Sequence, residues 1–317
     1  MHYSHLFGPV HSRRLGRSLG IDLVPFKTCS YDCVYCECGH TIIETTERSE
    51  FFPLEEVLEE LYDYLSRSPQ LDFITFSGSG EPTLSCSIGK VIRFIKHTFP
   101  TYRVAVLTNG SLLWRPDVRE DLLVADVVLP TLSSIFDSTF RKIHRPAPEI
   151  STGQIVAGLE LFRKEYSGEI WLEIFIIPGI NTDIKELEGL REAIVRICPD
   201  RVQLNTLDRP GSEEWVQPAP SGKLEQIRSV FGLAGINVVE PIQYEISTGS
   251  TMTEEWSAAI AGVHELLMRR PCTLDDLSTS SGLSRREILK ILREIQLTAP
   301  VEEKREERGI FYFCPGK

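Results

Sequence analysis

The sequence lacks the features of an exported or membrane-bound protein. Its first residues, MHYSHLFGPVHSRR, do not have the charged-then-apolar order of a signal peptide. No apolar run approaches the roughly 18 residues that a membrane-spanning helix requires. We therefore expect a cytoplasmic protein without a membrane partner. In that compartment thiols stay reduced, so clustered cysteines indicate metal or redox chemistry rather than disulfides.

The sequence also lacks an excess of positive charge, internal repeats and low-complexity linkers. Its formal net charge is −11, which argues against a protein that coats nucleic acid but leaves a local basic patch open. The charge is uneven: residues 254–317 carry a net −1 and the rest −10. The length of 317 residues fits one large domain, or a large domain with a small one.

Short apolar strands alternate with amphipathic helices over most of the chain. Segments such as IDLVP (21–25), DFITFSG (72–78) and RVAVLTNG (103–110) are typical of strands buried on both faces of a parallel sheet. About six such units predict an α/β fold with a partial (βα)6 TIM-like barrel, and an open doubly wound sheet is the competitor. Several strands end in polar or Gly-rich segments, which predicts a ligand site at their carboxyl ends.

The pattern changes after about Met252. The segments EEWSAAIAGVHELLMRR, TLDDLSTSSGLS and RREILKILREIQ predict three helices, and VEEKREERGIFYF predicts a β-hairpin. This order is typical of a winged helix. We therefore predict a barrel domain at 1–250 and a winged-helix-like domain at 251–317. In its last helix four apolar residues should face the small core, namely Ile288, Leu289, Leu292 and Ile295.

Four of the eight cysteines lie within ten residues. Cys29, Cys33 and Cys36 have x3 and x2 spacing, at which thiolates can converge on one soft metal centre. Cys38 or His40 could complete a zinc site with four ligands. Alternatively, three cysteines leave one iron of a [4Fe–4S] cluster open, as a reactive site requires. The remaining cysteines are isolated and are expected to be small core residues: Cys86, Cys198, Cys272 and Cys314.

The C-x3-C-x2-C spacing after a first strand, with Tyr35 before the last cysteine, resembles the signature of the radical S-adenosylmethionine (SAM) superfamily. The resemblance implies that Cys29, Cys33 and Cys36 bind three irons of a [4Fe–4S] cluster. It also implies that the amino and carboxylate groups of SAM chelate the fourth iron, and that Tyr35 packs near the adenine.

Further segments resemble the same superfamily. SGSGEPT (77–83) is similar to its Gly-Gly-Glu element, which holds the amino group of SAM. Gly80 and Glu81 match, and Ser79 replaces the first glycine. The pairing is physically reasonable because a carboxylate binds an ammonium strongly. The resemblance places four more residues at the ribose, carboxylate or nucleoside of SAM: Asn109, Ser133, Glu173 and Asn205.

Within the superfamily, FGPVHSRRLGRSLGIDLVPFKTCSYDCVYC and FSGSGEPTL closely resemble a bacterial iron–sulfur oxidoreductase group related to the wyosine-forming tRNA enzymes of archaea. The likeness covers roughly residues 7–245. There are two departures. PTLSS (130–134) replaces the usual Pro-Ser-Leu-Asp-Ala, so a serine stands where the family has a carboxylate. No cysteine precedes Cys29, whereas the wyosine enzymes have extra cysteines there for a second cluster.

The resemblance implies an enzyme of oxidoreductase or transferase type. An electron from a donor such as flavodoxin or ferredoxin would pass through the cluster to the sulfonium of SAM. Cleavage would give methionine and a 5′-deoxyadenosyl radical, which abstracts a hydrogen from the substrate. The protein would bind and orient the reactants and exclude water and oxygen.

The substrate is open at this point. Basic residues near the barrel mouth would suit an anionic substrate, or they form a solvated face; the candidates are Arg13, Arg14, His144 and Arg145. Three functions remain. The chain could modify tRNA bases with the winged helix as an RNA guide, or modify a small molecule or peptide with the winged helix docking a protein. It could also be a non-enzymatic iron–sulfur or zinc sensor that binds DNA.

Overall fold

The computed structural model describes residues 3–12, 14–232, 235–239 and 255–315. None of the helices in these ranges is long and apolar enough to cross a membrane. Two features of the sequence fall outside them, namely Arg13 and the domain boundary expected at 250/251.

The described residues form thirteen strands, ten α-helices and a short 3-10 helix, Pro82–Leu84. The strands are β1 (Leu6–Ser12), β2 (Gly16–Ile21), β3 (Thr28–Cys29), β4 (Ile43–Glu44), β5 (Phe73–Phe76), β6 (Val104–Thr108), β7 (Val127–Pro130), β8 (Glu169–Phe175), β9 (Arg201–Asn205), β10 (Val238–Val239), β11 (Cys272–Thr273), β12 (Glu302–Glu306) and β13 (Gly309–Phe313). The helices are α1 (Leu54–Leu65), α2 (Ile88–Thr98), α3 (Pro116–Leu122), α4 (Asp137–His144), α5 (Thr152–Glu165), α6 (Ile184–Ile197), α7 (Ser221–Gly232), α8 (Glu255–Arg269), α9 (Leu274–Ser281) and α10 (Arg285–Gln296).

A mostly parallel sheet forms the body of the molecule. Its strand order is β1-β2-β5-β6-β7-β8-β9-β10. Only the β1–β2 pair is antiparallel among the neighbouring strands of this sheet that the structure describes. Strands such as Val104–Thr108 and Val127–Pro130 are almost wholly buried, as strands covered by helices must be. The predicted α/β fold with a parallel sheet is confirmed.

The helices of the body have one apolar face. In α1 the buried residues Val57, Leu61 and Leu65 recur every four positions, which places them on one side of the helix. The hydroxyl of Ser151 accepts a bond from the backbone N–H of Gln154 and so begins α5 with a capping box. The carboxylate of Asp183 caps α6 by accepting a bond from Glu186 N.

The strand predicted at 21–25 lies elsewhere. The strand of the sheet is β2, Gly16–Ile21, and residues 22–25 lead from it toward the cysteines. β2 also pairs with β1, a hairpin that the apolar pattern did not predict. Gly20 is needed in this hairpin because the ring of Phe7 occupies the space where a Cβ would lie. The hairpin turn brings Leu15 against Phe73 and Trp171, which closes the amino ends of the strands.

Residues 255–315, here called the C-terminal unit, contain α8 to α10 and a three-stranded antiparallel sheet of order β11-β13-β12. The predicted hairpin is therefore confirmed. The buried residues of α10 are Ile288, Ile291, Leu292 and Ile295. The prediction for Leu289 was wrong: it is 40% exposed, and Ile291 takes its place because positions 288, 291, 292 and 295 share one helix face.

The C-terminal unit is joined to the body by largely buried ion pairs. Arg269 at the end of α8 contacts Asp22, which follows β2. Arg209 of the body lies 3.2 Å from Asp276 of α9 and 3.2 Å from Glu37. Glu37 directly follows the predicted ligand Cys36, so the C-terminal unit is connected to the cysteine segment.

Candidate active site

The cysteine loop, residues 27–39, lies at the carboxyl end of β2. Its start is held by the short parallel pair of β3 with β4. Two tight turns follow, in which Cys36 N donates to Cys33 O and Gly39 N donates to Cys36 O, both at 3.0 Å. All four cysteines of the loop are half-buried and free. These turns fold the short segment that carries Cys33, Cys36 and Cys38.

Each of the three predicted ligand sulfurs has a side-chain nitrogen at hydrogen-bonding distance. The ammonium of Lys27 lies 3.3 Å from Cys36 Sγ. His144 Nδ1, at the end of α4, lies 3.3 Å from Cys33 Sγ. Asn109 Nδ2, after β6, donates to Cys29 Sγ at 3.6 Å. Donors of this kind favour the thiolate form that a metal binds.

When no metal is bound, the surroundings shift the pKa values of the Cys29 and Cys36 thiols in opposite directions. Burial raises the pKa of Cys29 to about 12, with a further contribution from Glu81. The pKa of Cys36 is lowered to about 6, first by a hydrogen bond from Cys38 and then by Lys27 against the effect of burial. Burial lowers the pKa of Lys27, but the neighbouring Cys36 and Cys38 thiols raise it overall.

The donor set fits an iron–sulfur cluster better than a zinc ion. Among the described residues, no three His, Cys, Asp or Glu side chains converge as a single ion would require. A four-iron cluster needs no such convergence, because each thiolate binds a different iron. His40, which could have completed a zinc site, instead lies 3.1 Å from Asp32.

Glu81 lies beside the cysteine loop, after β5. Its Oε1 accepts three bonds, from Thr83 N at 3.0 Å, Thr83 Oγ1 at 2.6 Å and Thr108 Oγ1 at 2.7 Å. Its Oε2 accepts from Asn109 N at 2.7 Å. The carboxylate is 2% exposed, and burial raises its pKa although the hydrogen bonds act in the opposite direction. Oε1 is saturated, whereas Oε2 has room for another donor.

The segment before Glu81 is hydrogen-bonded to the cysteine loop. Ser79 O accepts from Lys27 N at 2.8 Å, and Glu81 N donates to Thr28 O at 3.0 Å. Between them, Gly80 passes so close to the Thr28 carbonyl that a Cβ would collide with it. The Gly-Glu element is therefore placed against the cysteines by backbone contacts that only glycine allows.

The other predicted SAM contacts lie at or near the carboxyl ends of the next strands. Ser133 is fully buried, and its hydroxyl accepts from Phe175 N at 3.2 Å. Glu173 of β8 accepts from Asn205 Nδ2 at 3.3 Å. The ring of Tyr35 stacks on Phe175 with centroids 3.7 Å apart. The sheet thus gathers these residues on one side of the cysteine loop.

The predicted substrate residues do not form one group. Arg14 lies in the turn between β1 and β2, and its guanidinium contacts Glu173. His144 is fully buried against the cysteine loop, where burial lowers its pKa to about 3. Arg145 pairs with Glu213 at 2.6 Å and with Asp32 at 3.6 Å. The structure therefore gives each of these side chains a partner within the protein.

Sequence reasoning missed Lys27 and Gln203. Lys27 stands two positions before Cys29 and has a positive φ of 59°, but a lone lysine has no motif that would reveal its contact. Gln203 faces Glu173 across β8 and β9, and its buried Oε1 has no hydrogen-bond partner among the described residues. Among the isolated cysteines, Cys272 and Cys314 are buried as expected, but Cys86 and Cys198 are exposed.

Comparison with known families agrees with this site. Residues 23–190 match the Radical SAM superfamily, a stretch that includes the cysteine loop and Glu81. The chain therefore belongs to the radical SAM superfamily, whose members are enzymes that use a [4Fe–4S] cluster and SAM. The resemblance seen in the motifs is confirmed.

Two individual proteins are similar to most of this chain. UPF0026 protein MJ1312 of Methanocaldococcus jannaschii is 33% identical over 297 residues, which cover 92% of this chain and 91% of that protein. GTPase Obg of Brachyspira hyodysenteriae is 36% identical over 302 residues, 94% of this chain but only 43% of that protein. The chain thus spans less than half the length of this relative.

A solved structure shares the fold. The structure of TYW1 with a lysine-pyruvate adduct bound superposes with a TM-score of 0.52 at 18% identity. The match covers 74% of this chain and 76% of that chain. At this identity the likeness shows the fold.

Proposed function

We propose that Cys29, Cys33 and Cys36 hold the [4Fe–4S] cluster and that Glu81 binds the amino group of SAM beside it. Asn109 carries this proposal. Its backbone N–H donates to Glu81 Oε2 at 2.7 Å, and its side-chain amide donates to Cys29 Sγ at 3.6 Å. One residue therefore links the thiols to the carboxylate. Chelation of an open iron by SAM requires this proximity.

The other residues bind, orient and exclude water. When bound, the cluster supplies one electron to the sulfonium of SAM, and cleavage of a C–S bond gives methionine and a 5′-deoxyadenosyl radical. The second oxygen of Glu81 accepts from the SAM ammonium, a charge-assisted bond. Tyr35, held flat by Phe175, packs near the adenine, while Ser133, Glu173 and Asn205 line the rest of the SAM site. The chemistry supplied to a substrate would be hydrogen abstraction, in a reaction of oxidoreductase or transferase type.

The test is anaerobic reconstitution of the full-length chain. We expect about four irons and four sulfides per chain, with broad absorption near roughly 400 nm. Replacing Cys29, Cys33 and Cys36 together by Ala removes the cluster, whereas the matched control Cys38→Ala retains it. The reconstituted enzyme then cleaves SAM on reduction. Stoichiometric zinc without sulfide would contradict the proposal.

We also propose that the C-terminal unit is a winged helix, which divides the chain into domains at 1–250 and 251–317. The order of its helices and its hairpin supports this. The first candidate role of the C-terminal unit is structural or in protein docking. The enzyme would then modify a small molecule or peptide. The largely buried ion pairs Arg269–Asp22 and Arg209–Asp276 support a packing role.

A second candidate is an enzyme that modifies tRNA, with α10 as the RNA guide. Three basic residues of α10 are exposed: Arg286, Lys290 and Arg293. Against this, Arg285 is bound by Asp275 at 2.5 Å, and β12 has three acids in five residues. The test is a tRNA gel shift at several salt concentrations. Absence of salt-dependent binding by the full-length protein rules out this candidate.

The remaining proposals concern cellular context. We propose that the enzyme is cytoplasmic. We also propose that it receives its electron from a carrier such as flavodoxin or ferredoxin, because the superfamily requires an electron donor. The third function considered, a non-enzymatic DNA-binding sensor, loses its support because members of the superfamily are enzymes. The proposed electron donor is tested by electron transfer from each purified carrier to the reconstituted protein, followed by SAM cleavage.

A further inference from the structure

The three predicted cluster ligands share a feature that no motif describes: each sulfur has its own side-chain nitrogen at hydrogen-bonding distance. The donors are Lys27 for Cys36, His144 for Cys33 and Asn109 for Cys29, at 3.3, 3.3 and 3.6 Å.

We propose that Lys27, His144 and Asn109 form a donor shell that raises the reduction potential of the cluster, and that Lys27 contributes most. The proposal deepens the function proposed above and rests on the assignment of the three cysteines.

The physical reason is the charge change on reduction. An electron added to the cluster makes the iron–sulfur core and its thiolates one unit more negative. A hydrogen bond or positive charge at a ligand sulfur therefore stabilises the reduced form more than the oxidised form. Hydrogen bonds to the sulfurs are among the factors that set the potentials of such clusters. A full positive charge should have a larger effect than a neutral donor at a similar distance.

Lys27 meets the conditions for a large effect. The residue is 3% exposed, and its ammonium contacts the Gly39 carbonyl as well as Cys36 Sγ. Its backbone N–H donates to Ser79 O, which anchors the start of the side chain. Because little water surrounds the ammonium, the solvent screens its field at Cys36 weakly.

His144 supplies a neutral donor. It is fully buried, and its Nδ1 lies 3.3 Å from Cys33 Sγ and 3.5 Å from Tyr35 OH. Its Nε2 has no partner among the described residues. A proton on Nε2 would leave a buried N–H donor unsatisfied, so the favoured tautomer carries its proton on Nδ1. In that tautomer the N–H would donate to Cys33 Sγ, which lies 3.3 Å from Nδ1.

Asn109 has the smallest expected effect. Its distance to sulfur is the longest of the three, and its amide also donates to Ser30 Oγ at 2.9 Å. The same residue bonds to Glu81 through its backbone. Lys27 and His144 are therefore the better residues to vary.

The experiment is an EPR-monitored redox titration of the reconstituted full-length protein without SAM. Lys27→Gln and Lys27→Met should shift the midpoint potential to more negative values, and His144→Phe should shift it in the same direction by less. His144→Asn, which places an amide near the position of Nδ1, should recover part of the shift. Lys90→Met, which removes an exposed lysine of α2, is the control and should have the wild-type potential.

Wild-type potentials in fully loaded Lys27 variants would overturn the proposal, as would an equal shift in His144→Asn and His144→Phe. If the Lys27 variants do not load iron, the His144 pair decides, and a wild-type potential in His144→Phe overturns it. Failure of the wild-type chain to bind iron and sulfide would instead contradict the cysteine assignment.

Discussion

Glu81 in the body and Asp276 in the C-terminal unit are both largely shielded from water, but different partners stabilise them. The described hydrogen bonds to Glu81 come from uncharged groups of Thr83, Thr108 and Asn109. Burial raises its pKa, and these bonds only partly offset the increase. The side chain is thus buried without a cation from the described part of the chain at hydrogen-bonding distance.

Asp276 has two such cations. Arg209 lies 3.2 Å and Arg308 2.5 Å from its Oδ1, while Oδ2 accepts from Thr273 N at 3.0 Å. Burial would raise its pKa, but Arg209, the Thr273 N–H and Arg308 lower it to about 2. Asp208 and Glu37 complete the network around Arg209.

The difference shows how a carboxylate with a structural role can be distinguished from one that binds a ligand. The chain neutralises Asp276 itself, so its role is to hold the C-terminal unit against the body. Glu81 has one oxygen with room for a further donor, as expected of a carboxylate that binds the ammonium of a ligand. Mutation of Asp276 should therefore lower the stability of the protein, whereas mutation of Glu81 should weaken the binding of SAM.

The largest expected effect is on stability. Asp276→Asn should lower the free energy of unfolding by about 3–5 kcal/mol, because it removes one partner of a buried charge network. Denaturant unfolding of the full-length protein measures this change. The matched control is Asp275→Asn, whose pair with Arg285 is more than half exposed and should contribute much less to stability. Equal losses in the two variants would contradict the structural role.

The next effect is on binding. Glu81→Gln should weaken SAM binding by about 2–5 kcal/mol, because the ammonium loses its charged partner. Iron content should not change, since the carboxylate is not a cluster ligand. Isothermal calorimetry of the reconstituted protein measures the affinity, and Asp276→Asn should bind SAM as the wild type does. Unchanged affinity in Glu81→Gln would mean that GSGEPT is only a turn.

The acid dependence of stability should follow Asp276. Its pKa falls from an ordinary value of 3.8 to about 2 on folding, so its ionised form favours the folded state. This contribution, about 2 kcal/mol, is present above pH 4 and is lost as the pH falls from about 4 to about 2. Unfolding free energies over this range should show the loss in the wild type and not in Asp276→Asn.

Glu81 should contribute a pH dependence of stability of opposite sign in the absence of SAM. Its pKa is raised from 4.5 on folding, so the protonated form favours the folded state. This contribution is present below pH 4.5 and is lost as the pH rises through the folded-state value. Glu81→Gln should remove that loss, so its stability relative to the wild type should improve from acid toward neutral pH. A constant difference would show that Glu81 has an ordinary pKa.

The apolar pattern predicted the parallel sheet, because buried strands read as continuous Val, Ile and Leu runs. It placed the first strand too late. Residues 23–24 are as apolar as a strand, but the β2 ladder ends at Ile21, where pairing with β5 stops. Leu289 shows the same limit: helical spacing permits either Leu289 or Ile291 in the core, and packing of α10 against α8 and α9 decides between them.

The sequence by itself determined which residues are candidates for carrying the chemistry. Cys29, Cys33 and Cys36 are so close along the chain that their spacing alone indicates a metal site, and Glu81 lies in an equally local motif. Only the tertiary structure decided what surrounds them. His144 is 111 positions from Cys33, and Asn109 is 80 positions from Cys29. No local pattern encodes such distances; the order of the parallel strands brings these side chains together, because it aligns the carboxyl ends of β5 and β6 beside the cysteine loop.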